Sequence, residues 1–61
     1  MQVVYSQDNC PGCNRLISEY ESNGWLEGQE FRIVKVGKDI SVDEFLAKFP
    51  GVRSVPYVVT E

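Results

Sequence analysis

Cys10 and Cys13 stand with two residues between them in the run Cys10-Pro11-Gly12-Cys13, and they are the only cysteines of a chain without histidine. Thiol chemistry runs through the thiolate, and an ordinary cysteine has a pKa of about 8.5, so a reactive thiol needs surroundings that favour its anion. The unpaired N–H groups and the positive dipole end of a helix N-terminus are such surroundings. The spacing predicts Cys10 at a helix start and Cys13 one turn inside. Cys10 then attacks a disulfide as the nucleophile. Cys13, within reach of it, resolves the mixed disulfide that forms. Pro11 stiffens the loop, and Gly12 brings no side chain to cover the sulfur.

Other uses of the pair stand beside this one. A free cysteine packs as a small hydrophobe, and Cys13 falls on the apolar face of the helix that follows, although Cys10 lies outside its periodic run. A structural zinc wants four Cys or His ligands, so here carboxylates or a second subunit would have to complete the shell. As a staple the pair is weak, because closing so short a loop removes little unfolded-state entropy. No carboxylate pair suggests hydrolysis.

The elements that must hold the cysteines follow from patterning. Val3-Val4-Tyr5 is a short apolar run ahead of the turn formers Ser6-Gln7-Asp8-Asn9, which predicts a buried strand and then a loop. Cys13, Leu16, Ile17 and Tyr20 recur on one helical face, with Asn14, Arg15, Ser18 and Glu19 outward. Pro11 suits the first turn, and Asn23-Gly24 ends the helix. Arg15, two residues past Cys13, has two readings: a charge that favours the thiolate or holds an anionic substrate, or, more often for such a position, a solvated helix charge paired with Glu19 four residues on. Residues 30–36 are rich in β-branched side chains and predict a second strand, broken at Gly37-Lys38-Asp39.

Ser41-Val42-Asp43-Glu44 matches a capping box, in which the Ser41 hydroxyl and the Glu44 carboxylate each satisfy an orphan backbone N–H. Val42, Phe45, Leu46 and Phe49 continue at helical spacing until Pro50-Gly51. Val55-Pro56-Tyr57-Val58-Val59 predicts a third strand, opened by a proline where one is tolerated. Trp25, Phe31, Phe45 and Phe49 are assigned to packing. A strand–helix–strand crossover of this length implies a right-handed parallel pair. A Cys-x-x-Cys that opens the helix of such a unit reads as a thioredoxin-like redox site.

Composition narrows the partners. The chain has 61 residues, enough for one domain, residues 1–61, and a formal charge of −3. Six scattered Lys and Arg make no phosphate-binding face, so no nucleic acid is expected. No window approaches the roughly 20 apolar residues of a membrane span. Met1-Gln2-Val3-Val4-Tyr5 lacks the basic start and long apolar run of a signal peptide. A reducing cytoplasm is therefore the expected setting, where close-set cysteines are more often catalytic or metal-binding than structural.

Two separated stretches, Tyr5-Ser6-Gln7-Asp8-Asn9-Cys10-Pro11-Gly12-Cys13 and Phe49-Pro50-Gly51-Val52-Arg53-Ser54-Val55-Pro56, resemble the glutaredoxin family. There a Cys-Pro-x-Cys site follows the first strand, and a Thr-Val-Pro segment follows the second helix. The resemblance implies an α/β, thioredoxin-like (glutaredoxin) β-α-β-α-β core with a mixed sheet, lacking the family's final strand and helix. It implies a cis Val55–Pro56 bond beside Cys10, with the Val55 backbone pairing to glutathione or a substrate peptide as an added strand does. Gln7, Pro11, Gly12, Ser54, Val55, Pro56 and Tyr57 are the implied glutathione or substrate contacts.

The sequence also departs from the family. Pro-Gly stands where many dithiol members have Pro-Tyr, and Gln7 is the nearest polar residue to a missing basic one. The family's fourth strand, Gly-Gly turn and third helix would follow Glu61. The sequence is thus expected to be a piece of a longer chain, or a minimal redoxin whose uncovered sheet face, rich in Phe and Val, draws it into a weak homodimer. Otherwise a monomer is expected.

The expected activity is that of a disulfide oxidoreductase with no bound cofactor. Glutathione is its co-substrate, and disulfide-containing proteins, ribonucleotide reductase among them by family resemblance, are its clients. Two alternatives come from other classes. One is a dimeric module that binds a metal or iron–sulfur cluster through Cys10, and the other is a non-catalytic thioredoxin-fold interaction module.

Overall fold

A computed structural model describes all of residues 1–61 as five elements in the predicted order: β1 (Gln2–Ser6), α1 (Pro11–Ser22), β2 (Phe31–Lys35), α2 (Val42–Lys48) and β3 (Tyr57–Thr60). The strands form one mixed sheet in the order β2-β1-β3. β1 runs parallel to β2, with Val4 beside Ile33, and antiparallel to β3, with Val4 beside Val58. The protein is a small α/β unit with the first element of the chain, β1, at the centre of the sheet. None of its helices is long and apolar enough to cross a membrane.

Alternation along β1 divides the interior into two halves. Val3 and Tyr5 point to the α2 side, where they form a buried cluster with Val36 and Phe45. The rings of Tyr5, Phe45, Phe49 and Tyr57 meet there at centroid distances of 5.0 to 6.4 Å, mostly in the tilted and edge-on arrangements that aromatic quadrupoles favour. Lys48 reaches over this cluster and donates to the Tyr5 hydroxyl at 3.4 Å. Gln2, Val4 and Ser6 point the other way, toward α1. On that side Tyr20 packs on Phe31 at 5.1 Å and donates to Gln2 Oε1 at 2.7 Å. The helices therefore cover opposite faces of the sheet.

The phenylalanines are not left on an open face. Phe31 is fully buried under α1, Phe45 is buried under α2 and Phe49 is half-buried. The large apolar side chains most open to solvent are Met1, Leu26, Val42 and Leu46. Trp25 is half-buried and packs on Tyr20 at 4.7 Å, an edge position rather than a core one.

Several boundaries move by a residue or two, each for a local reason. Helix α2 stops at Lys48, and Phe49 leaves the helix with φ −132° and ψ 74°, because the ring of Pro50 disfavours helical geometry in the residue before it. Strand β3 begins at Tyr57 rather than Val55, since Pro56 has no N–H to give a ladder. The Ser41 hydroxyl accepts the Glu44 N–H at 3.0 Å as predicted, but the Glu44 carboxylate takes the Ser41 hydroxyl at 3.3 Å, not its backbone N–H. Arg15 forms no ion pair with Glu19; the ion pairs are Arg32–Glu61, Lys35–Asp8 and Lys38–Asp8.

Candidate active site

Helix α1 begins at the cysteines because of what stands on either side of them. Asn9 adopts φ 57°, a left-handed conformation that Asn tolerates better than most residues, and it turns the chain from the end of β1 into the helix. Cys10 is the N-cap, with extended backbone at φ −110° and ψ 100°, and Pro11 opens the first turn. The Cys10 Sγ takes the place of a capping oxygen: it accepts the backbone N–H of Cys13 at 3.1 Å. No acidic residue lies in the first turn, so no negative side chain there competes with a sulfur anion for the helix end.

The two sulfurs are joined as a disulfide, with Cα atoms 5.2 Å apart. Their exposures differ sharply. Cys10 is half-buried, whereas Cys13 is 1% exposed and turned toward the sheet. One sulfur faces solvent and its partner is sealed behind it.

The second implied motif lies against the first. Val55–Pro56 is a cis peptide bond, and the Val55 carbonyl oxygen lies 3.9 Å from Cys10 Sγ. Gly12 faces Pro56 closely: a Cβ built on Gly12 would stand 3.5 Å from Pro56 Cδ. Residues 45 positions apart in sequence thus share one small surface, with Cys10, Gly12, Val55 and Pro56 together. Comparisons with known proteins add nothing to it. No family model, curated protein or solved structure matches the chain.

A cavity of about 210 Å³ adjoins this surface on the α2 side, walled by Val36, Val42, Phe45, Leu46, Val52 and Val55, with Gln7, Arg53 and Ser54 as its polar members. It is smaller than the roughly 300–1,000 Å³ of a pocket for a whole drug-sized ligand, so it suits one side chain or one end of a longer substrate. Of the residues singled out in the sequence, Gln7, Ser54 and Val55 line it. Pro11 is exposed in the first helical turn and does not line the cavity. Tyr57 is not brought to the cavity; its ring belongs to the aromatic cluster under α2.

Arg53 was not singled out from sequence, although it is the only cation of the segment between Phe49 and Pro56. A second charged group could not have been read at all. Asp8, two residues before Cys10, meets Lys38 Nζ at 2.8 Å and Lys35 Nζ at 3.5 Å. The hydrogen bond and charge of Lys38, followed by those of Lys35, hold the Asp8 carboxyl below its ordinary pKa, and Asp8 in turn raises that of Lys38. Both groups stay ionised through neutral pH. The loop leading to Cys10 is thereby tied to the turn after β2, and its one negative charge is matched by two positive ones. No group of three or more His, Cys, Asp or Glu side chains is gathered where a metal could be held.

Proposed function

We propose that the protein is a thiol–disulfide oxidoreductase of the glutaredoxin kind on a thioredoxin-like fold. Its single supporting observation is the division of labour across one Cys-x-x-Cys: an accessible Cys10 capping a helix with its sulfur, and a buried Cys13 directly behind it. In the dithiol form the Cys10 thiolate attacks one sulfur of a substrate disulfide, forming a new S–S bond and expelling the other sulfur as a thiolate. Cys13, as thiolate, then attacks Cys10 Sγ, releases the second substrate thiol and closes the intramolecular disulfide. Two molecules of an external thiol, glutathione in this reading, restore the dithiol and leave as their own disulfide.

The surroundings fit such a substrate. The Val55 backbone lies next to Cys10 Sγ, where an extended peptide could add its own backbone. The apolar cavity with Arg53 at its wall accepts the carboxylate-bearing end of glutathione or of a peptide. Proteins carrying glutathione mixed disulfides or reducible disulfides are the proposed clients, in a reducing compartment such as the cytoplasm.

Activity of two variants tests the proposal. Cys10→Ser should abolish reduction of a glutathione mixed disulfide, because the only other thiol, that of Cys13, is buried. Cys13→Ser should keep part of that activity, since attack and release of glutathione need only Cys10, yet lose reduction of protein disulfides that require resolution. Unchanged turnover in Cys10→Ser would end the enzyme reading.

A further inference from the structure

Apart from Tyr5, whose hydroxyl meets Lys48, Ser6 is the only buried residue carrying a side-chain oxygen, and none of its surface is exposed. Its hydroxyl has no hydrogen-bond partner. A buried hydroxyl left unpaired disfavours the state in which it is unpaired. Such a group calls for a second state in which it is satisfied.

Its place in the fold says which group satisfies it. Ser6 ends β1 on the face turned toward α1, the face that also carries Gln2. Helix α1 returns antiparallel along that strand, with the Tyr20 hydroxyl seated on Gln2. Cys13 precedes Tyr20 by seven residues and so shares its helical face, about 10.5 Å nearer the helix start at 1.5 Å per residue. Ser6 lies four residues beyond Gln2, about 13 Å along β1 at roughly 3.3 Å per residue. The two spans agree to within about 2.5 Å, which puts buried Cys13 at the level of buried Ser6. In the β1–β3 register Ser6 falls one step past the Tyr5–Tyr57 pair, at the level of Pro56 and so at the end of the sheet that carries the cysteines.

We infer that Ser6 is a positioning residue whose hydroxyl donates to the Cys13 sulfur when the disulfide is open. Reduction takes two electrons and two protons, both from an external dithiol that is itself oxidised to a disulfide. The Cys10–Cys13 bond breaks and each sulfur becomes a thiol or thiolate. Cys10 Sγ stays at the helix end on the Cys13 N–H, and the Cys13 sulfur, freed from it, turns inward to the unpartnered Ser6 hydroxyl. A thiolate accepts a hydrogen bond far more strongly than a disulfide sulfur does. Ser6 therefore favours the reduced form, and favours the ionised Cys13 that resolves the mixed disulfide. The inference deepens the proposed redox function and rests on it only in that the two cysteines must cycle.

Equilibration of the whole chain with dithiothreitol of varied redox ratio, read by alkylation and mass, tests this. Thermal unfolding of the oxidised and reduced forms is followed separately. Ser6→Ala should lower the equilibrium constant for reduction about three- to tenfold, tenfold being about 30 mV more negative. It should also destabilise the reduced form relative to the oxidised one. Ser6→Thr and Ser6→Val add the same bulk and differ only in the hydroxyl, so Thr should stay near wild type and Val should follow Ala even if Ala folds poorly. Equal potentials for Thr and Val, or equal losses of melting temperature in both redox forms, would overturn the role. The titration needs no turnover, so an inactive wild type would count against the enzyme reading while leaving the Ser6 shift measurable.

Discussion

Arg53 is the one cation on the wall of a cavity otherwise lined by apolar side chains, Gln7 and Ser54, in a chain with net charge −3. A carboxylate-bearing substrate that reaches Cys10 across Val55 would find no other positive charge on that wall. Exposed ion pairs contribute about 0.2–1 kcal/mol, which corresponds to a change of about 1.5- to fivefold in affinity. Arg53→Gln should therefore raise KM for glutathione mixed disulfides by about two- to fivefold and leave kcat near wild type. The difference should shrink at high salt, as screening of an exposed charge requires. A KM that stays constant from low to high salt in both proteins would show that Arg53 does not meet the substrate. The cysteines themselves were legible from spacing alone. Arg53 had only its isolation within a short segment to mark it, and the Asp8–Lys38 pair had nothing, because the two groups stand 30 positions apart and only the fold brings them to 2.8 Å.

At the scale of elements, Gly12 sits at the second position of α1 with helical backbone, outside the positive-φ set formed by Gly24, Gly28 and Gly37. It faces Pro56, and an added Cβ would rest 3.5 Å from Pro56 Cδ, ordinary contact. Alanine there costs no clash and removes the entropic penalty of glycine in a helix. Gly12→Ala should raise stability by about 0.5–1 kcal/mol, read as a higher urea midpoint with unchanged slope. Turnover with a small disulfide should be retained. A lower midpoint would mean that helix and proline loop cannot share the space.

The same scale explains which elements the sequence made plain. The Ser41 cap, the Asn23-Gly24 stop and the apolar face of α1 are local signals, and the structure follows each of them. The ends of α2 and β3 were misplaced because Pro50 and Pro56 act on the residue before them or withhold a donor, effects that hydropathy does not carry. That the helices take opposite faces of the sheet follows from the alternation of Val3 and Val4 once β1 is known to be central. Pairing order, unlike alternation, is not written in any one strand.

For the molecule as a whole, eight of 61 residues are buried, and they are split between two faces of a three-stranded sheet, so neither half-core has mass to spare. Stability of about 0.05–0.15 kcal/mol per residue would give a chain of this length about 3–9 kcal/mol. Phe45 is 4% exposed and contacts Tyr5, Phe49 and Tyr57, joining α2 to both β1 and β3. Truncating a buried phenylalanine to alanine costs about 3–5 kcal/mol, a large part of that total. Phe45→Ala should accordingly lose most of its cooperative unfolding transition at 25 °C by circular dichroism, whereas Phe45→Leu should fold with a reduced melting temperature. Because Phe45 also walls the cavity beside Val55, the leucine variant should bind substrate more weakly before it unfolds, joining the reading of the site to that of the core. A Phe45→Ala protein that unfolds as cooperatively as wild type would mean that the α1 side alone sustains the fold, and that α2 with its cavity is an appendage to it.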